Sequence, residues 1–234
     1  MLPTIEHILH KARPKIRSIL KLRHLFSKEQ LIGYYKTHIW GFSEYSNGAI
    51  ILATGTQLDR LDRMQRWFLH ELELSDLEAF LEYNFAPPTL RRRIGLLAFM
   101  YKRVLGLCHP ALQELLPMCQ DGPSGLPYLH DRQLKTKLED VRCHNRMYWR
   151  SLWSYTHIYN RLPQCLVNED SVVVFQARLT QCVRLRASSG DPSWRDSYGD
   201  CSDILSFFHR SQNAANLHCD ESESQGSGLF SAPE

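Results

Sequence analysis

The sequence predicts an all-α protein, an irregular multi-helix bundle followed by a disordered C-terminal tail. Three observations carry that prediction. Apolar residues recur every three or four positions in segment after segment, the period of a half-buried helix. Two segments open on Ser-x-x-Gln or Ser-x-x-Glu, the capping-box mark of a helix start. No stretch reads convincingly as a strand, and no internal repeat is present.

The elements follow in order. "TIEHILHKA" and "KIRSILKLRHLF" are two helices or one helix kinked at Pro14, which removes an N–H and crowds the preceding turn. "SKEQ" at 27–30 caps a helix whose inner face should be Leu31, Tyr34, Tyr35, His38, Phe42 and Tyr45. His38, on that apolar face, should be a hydrogen-bonded core histidine. Asn47-Gly48 breaks the helix.

In "TQLDRLDRMQRWFLHELE", Leu58, Leu61, Met64, Phe68 and Leu72 make one apolar face. Asp59–Arg63 and Asp62–Arg66 should pair at i,i+4 on the other. "SDLE" at 75–78 caps a short helix that Pro87-Pro88 ends. The next helix starts at Pro88 or Thr89 and buries Leu90, Ile94, Leu97, Tyr101 and Val104. Residues 1–116 therefore form a helical sub-bundle, and the turn-rich 117–130 a loop.

Residues 131–186 form an aromatic-rich closing segment. Tyr148, Leu152, Tyr155 and Tyr159 step at helical intervals with Trp149 and Trp153 beside them, so this helix should be largely buried. Leu162-Pro163 stops it, because a residue before proline avoids the α region. After the polar turn "NED", Val172, Phe175, Leu179 and Val183 form the seam of the last helix. Residues 187–234 are rich in Ser, Asp, Gly and Asn and are expected to be a mostly disordered acidic tail.

Net charge is +3, distributed as about +6 over residues 1–110, +3 over 111–186 and −6 over 187–234. A basic body with an acidic tail suits a polyanionic partner, or is simply a set of solvated helix surfaces. Seven cysteines, scattered and never spaced C-x-x-C, argue against a disulfide framework or zinc knuckle and for reducing conditions. Cys165 is expected to be a buried, inert thiol. The opening residues do not resemble a signal peptide, and no apolar run approaches a membrane span, so an intracellular protein, nuclear or cytoplasmic and without a membrane partner, is expected.

Catalytic signatures are missing: there is no G-x-S-x-G, P-loop, G-x-G-x-x-G or H-E-x-x-H. There is also no Asp-Asp step of the kind that two-metal phosphoryl transfer uses. No enzyme activity, cofactor or metal is expected. What remains is basic: Lys11, Arg13, Lys15 and Arg17 near the start, then Arg91, Arg92 and Arg93 opening a helix, with Lys102 and Arg103 at its far end. Cations at a helix N-terminus oppose the helix dipole, and a phosphate backbone would compensate them. Pairing with nearby acids such as Glu78 or Glu82 is the equally weighted alternative.

The order of "HKARPKIRSILKLRHLF", "LIGYYKTHIWGFSEYSNGAI", "LDRLDRMQRWFLHEL", "TLRRRIGLLAFMYKRVLGL" and "YNRLPQCLVNEDSVVVFQARL" resembles the thumb-side region downstream of the polymerase core in non-LTR retrotransposon reverse transcriptases. The likeness runs over most of residues 10–186. Tyr159 replaces the family's usual Trp before Asn-x-Leu-Pro, and an aliphatic residue follows "EYSNGAI" where the family often has Trp. The family's paired aspartates lie upstream of this region, so none of its catalytic residues carries over. The resemblance implies a truncated carboxy-terminal fragment that binds RNA or an RNA/DNA duplex beside an upstream polymerase domain. It also implies that Trp149, Trp153, Tyr155, Tyr159, Leu162 and Phe175 are packing residues. The alternative is a helical protein-interaction or structural module, or an inert transposon remnant.

Overall fold

A computed structural model of the chain describes residues 2–44, 50, 53–119, 131–135 and 152–199. Among these residues the protein is all-α, with one isolated antiparallel bridge between Met118 and Leu134. Helix α1 spans Leu2–Lys21 without interruption. Pro14 lies on its exposed side, where the carbonyl it leaves unpaired can meet water. The opposite side buries Ile5, Ile8, Leu9, Ala12, Ile16, Ile19 and Leu20.

Helix α2 (Lys28–Tyr35) opens on the expected capping box: Gln30 N–H donates to Ser27 Oγ at 3.3 Å, and Ser27 N–H donates to Gln30 Oε1 at 3.0 Å. It then runs through a π-helical turn, Lys36–Trp40, into the short α3 (Gly41–Glu44). That turn corrects the expected inner face. A π turn takes more residues than an α turn, so Ile39, rather than His38, follows Tyr35 into the core. The buried set is Leu31, Ile32, Tyr35 and Ile39, while Tyr34 and His38 stand outside with their rings stacked at 6.4 Å. Phe42 is half-buried, and Tyr45 and the Asn47-Gly48 break fall outside the described residues.

Helix α4 (Gly55–Glu71) buries Leu61, Met64, Phe68 and Leu69, with Leu58 half-buried and Leu72 buried just past its end. Its start carries a signal the sequence reading passed over: Thr54 N–H donates to Gln57 Oε1 at 3.3 Å. The Asp59–Arg63 pair forms at 2.9 Å. The Asp62–Arg66 pair does not: Arg66 turns to Asp59 at 2.5 Å, because Asp62 faces the neighbouring helix α6.

Helix α5 (Asp76–Tyr83) has the second expected capping box, Ser75 with Glu78, and ends at Asn84 in the left-handed region with φ 50°. Then α6 (Pro88–Val104) begins with proline in its first position, where no N–H is missed. A short α7 (Pro110–Leu115) leads to Leu116 and the Met118–Leu134 bridge. The rest of the expected 117–130 loop lies outside the described residues, as do Tyr148 and Trp149.

The closing segment is α8 (Leu152–Tyr159), α9 (Gln164–Val167) and α10 (Val172–Ser188). Tyr155, Tyr159, Leu162 and Phe175 are buried as the sequence suggests, and Trp153 is half-buried. Tyr101 of α6 stacks on Phe175 with ring centroids 4.1 Å apart and donates its hydroxyl to the Val167 carbonyl at 3.0 Å. Asn160, after Tyr159, accepts Leu134 N–H at 3.0 Å and donates to Leu134 O at 2.8 Å, a two-point clamp that satisfies both backbone groups of Leu134.

The described part of the expected disordered tail is folded. Asp191 caps a 3-10 turn, Pro192–Asp196, by accepting Ser193 N–H at 2.8 Å. Trp194 stacks on Phe80 at 5.2 Å, and buried Tyr198 donates to Leu179 O at 3.0 Å. These two aromatics, with an ion pair from Arg195 to Asp76 at 3.2 Å, hold the strap from Ser189 to Gly199 against the body.

Two apolar cores result. One unites α1, the α2–α3 segment and α4, and the other unites α6, α8, α9, α10 and the strap. They meet around α5, where Ala79 and Phe85 belong to the first and Phe80 and Ala86 to the second.

Candidate nucleic-acid interface

The basic residues fall into two groups with different environments. The first opens α6. Pro87 precedes this helix without a side-chain cap, and three arginines follow on successive positions, so their side chains leave the axis roughly 100° apart. Each reaches a different part of the protein.

Arg91 points into the first core. Its Nε donates to Glu44 Oε1 at 2.6 Å and its Nη1 to Gln65 Oε1 at 3.0 Å and to the Ala86 carbonyl. The guanidinium lies over the Trp40 ring at 4.1 Å, and Trp40 in turn stacks on Phe85 at 5.4 Å. Burial pulls its pKa below the usual arginine value, and the adjacent Glu44 opposes that shift. The guanidinium stays charged, since arginine does not lose its proton in proteins.

Arg92 is buried against Asp62, with nitrogen–oxygen distances of 2.8 and 3.0 Å, and bonds Thr89 Oγ1 at 3.0 Å. Thr89 donates its hydroxyl hydrogen bond to Asp62, which closes the triangle. Arg93 holds the strap: it donates to the carbonyls of Arg195 at 3.2 Å and Ser197 at 3.3 Å, with Asp196 at 3.8 Å. At the far end of α6, Arg103 donates to Leu116 O at 2.8 Å and Gln113 O at 3.3 Å. Lys102 beside it is exposed. The partners of the three arginines are thus Glu44, Asp62 and Asp196, not Glu78 or Glu82, which belong to α5.

The second group is on α1. Lys11, Arg13, Lys15 and Arg17 are all exposed, and none meets a carboxylate among the described residues. At 100° per residue they do not form one row. Lys11 and Lys15 flank the buried stripe on the side of Phe42, over whose ring Lys15 sits at 4.9 Å. Arg13 and Arg17 flank it on the other side, towards α4. Lys21, His7 and His10 occupy the arc between, interspersed with exposed Thr4, Pro14 and Ser18, and Glu6 is the one acidic residue on α1.

On the Arg13 side, α1 and α4 leave an open groove of about 330 Å³, lined by Leu9, Arg13, Arg60, Arg63, Met64 and Trp67. Arg60 bonds Glu6 at 3.5 Å and Arg63 bonds Asp59 at 2.9 Å across its rim. The sequence reading missed Arg60, Arg63 and Trp67 as site residues, although their spacing of three and four places them on one face of a helix.

Among the described residues no three His, Cys, Asp or Glu side chains come together as a metal site, and no helix is long and apolar enough to cross a membrane. Cys165 is exposed rather than buried, because α9 is a single turn whose outer side it occupies. Burial pushes the Cys182 thiol up to about 11. Comparison with protein-family models, with curated proteins and with solved structures finds no match to this chain.

Proposed function

We propose that the chain binds the phosphate backbone of RNA or an RNA/DNA duplex through the solvent face of α1, without sequence preference. The observation that carries this reading is the set Lys11, Arg13, Lys15 and Arg17, exposed and free of carboxylate partners among the described residues. Such charges keep their counterions until a polyanion displaces them, which makes binding steeply salt-dependent. Arg91, Arg92, Arg93 and Arg103 hold the fold together and leave the binding face to α1. The resemblance to the thumb-side region of non-LTR retrotransposon reverse transcriptases supports the same reading and adds an upstream polymerase domain as partner.

A second reading, a helical interaction or structural module or an inert remnant, draws on those four arginines: their internal bonds mean that net charge overstates the surface available to a polyanion. One experiment separates the two. Fluorescence anisotropy with a labelled RNA/DNA duplex should give affinity that falls steeply between about 50 and 200 mM salt, by about 40–2,000-fold for three to six neutralised phosphates. The Lys11/Arg13/Lys15/Arg17→Ala variant should lose that binding while remaining folded. Wild-type affinity no better than that of a charge-matched control protein would establish the second reading instead.

A further inference from the structure

Resting on that reading, we infer that the groove between α1 and α4 takes an unpaired nucleotide, its base on Trp67 and its flanking phosphates on Arg13, Arg60 and Arg63. Trp67 is the starting point. It is half-buried, it lines the groove, and its ring meets no other ring or cation among the described residues. Trp40 and Trp194, by contrast, are each stacked on a phenylalanine. An indole in an open groove with its ring unmatched, ringed by guanidinium groups, has the composition of a single-strand site. There aromatic rings carry bases of any sequence and cations follow the backbone.

The shape favours a single strand over a duplex. The floor is apolar, made of Leu9 and Met64, and the cations stand on the walls: Arg13 on one helix, Arg60 and Arg63 on the other. A duplex keeps its bases stacked and would touch only the rims. An unpaired base can enter and cover the apolar floor while its phosphates stay at the level of the arginines. The carboxylates at the rim do not close the site. Glu6 and Asp59 are 55% and 48% exposed, and exposed ion pairs of this kind contribute little, so phosphate can replace them at Arg60 and Arg63 at small cost. Among the described residues Arg13 has no such partner to give up.

The shared chemistry is a base on a phosphodiester chain, and RNA and single-stranded DNA both supply it. The test measures binding of the full chain to oligouridylate, oligothymidylate, an abasic oligomer with the same number of phosphates, and poly-glutamate of matched charge. Wild type should prefer either base-carrying oligomer over the abasic one by roughly tenfold, the worth of one stacked base. A uridylate preference over thymidylate would identify RNA as the ligand, and equal affinity a site for either strand. Trp67→Ala should abolish the preference for bases without changing abasic affinity. Trp67→Leu, which keeps an apolar side chain in the core, should do the same if the alanine variant is destabilised. Arg13→Ala should weaken all three oligomers alike and reduce the salt slope by about one contact. Equal binding of based and abasic oligomers, a preference that survives both Trp67 variants, or poly-glutamate bound as well as oligothymidylate would overturn the groove assignment and leave the α1 reading standing. Failure of every polyanion to bind above a charge-matched control would overturn both.

Discussion

The arginines that open α6 lie inside the protein, against carboxylates and backbone carbonyls, whereas the cations of α1 stand in solvent with no carboxylate beside them among the described residues. Both groups are runs of like charge within the first turns of a helix or along one. They differ in what the tertiary fold brings to them. Helix α6 is central, and Glu44, Asp62 and Asp196 arrive from three separate elements to meet successive arginines. Helix α1 is peripheral, with one face on the core and the other on water. A run of like charge therefore becomes a structural hub or a binding face according to whether its helix is surrounded.

The sharpest way to break this contrast is Arg91→Ala. It leaves Glu44 and Gln65 without their cation and removes the guanidinium from the face of Trp40, and loss of one half of a buried pair typically costs about 3–5 kcal/mol. Urea unfolding measures it, and a cost near zero would mean that the cluster is not a hub. Arg103 and Lys102 allow a matched comparison on adjacent residues. Arg103→Ala should cost about 1–3 kcal/mol by stranding the carbonyls of Leu116 and Gln113. Lys102→Ala should stay within about 0.5 kcal/mol.

A smaller effect tests the strap that Arg93 holds. Hydrogen bonds from Ser193, and then Arg186, hold the Asp191 carboxyl at about 2 in the folded protein. A depressed carboxyl stabilises the fold above its unfolded value near 4 and loses that contribution as pH falls towards 2. Asp191→Asn should flatten the fall of stability across that acid window, as followed by urea titrations at successive pH values. The outward group should matter as little per site as Lys102 does. The Lys11/Arg13/Lys15/Arg17→Ala variant should unfold within about 0.5 kcal/mol per site of wild type, even though it loses binding.

Much of this fold was legible because local chemistry set it. The Ser27 and Ser75 capping boxes, the proline start of α6 and the seam of Phe175, Leu179 and Val183 all read directly from short-range pattern. The candidate site was legible only in part. Residue type and exposure on α1 follow from helical period, but the partners of Arg91, Arg92 and Arg93 lie 47, 30 and about 103 positions away, beyond any local rule. Trp194 and Tyr198 were hidden for a different reason: the polar composition around them outweighs two aromatics in any average, although Asp191 and Pro192 mark a turn that presents them. His38 defeats the pattern because the 3.6-residue period does not hold where the helix widens between Lys36 and Trp40.

That widening holds about one residue more than ordinary helix needs, so the segment has slack that a regular turn lacks. Thr37 is exposed and its side chain bonds the Gly33 carbonyl, so a wide choice of residues should serve in its place. Deleting it should let the segment tighten to ordinary helix while everything after it keeps its facing, with Ile39 still in the first core and Glu44 still beside Arg91. Removing an exposed residue from α4, Arg66 for instance, finds no such slack. The turns beyond it would rotate by roughly 100° and carry Phe68 and Leu69 out of their seats.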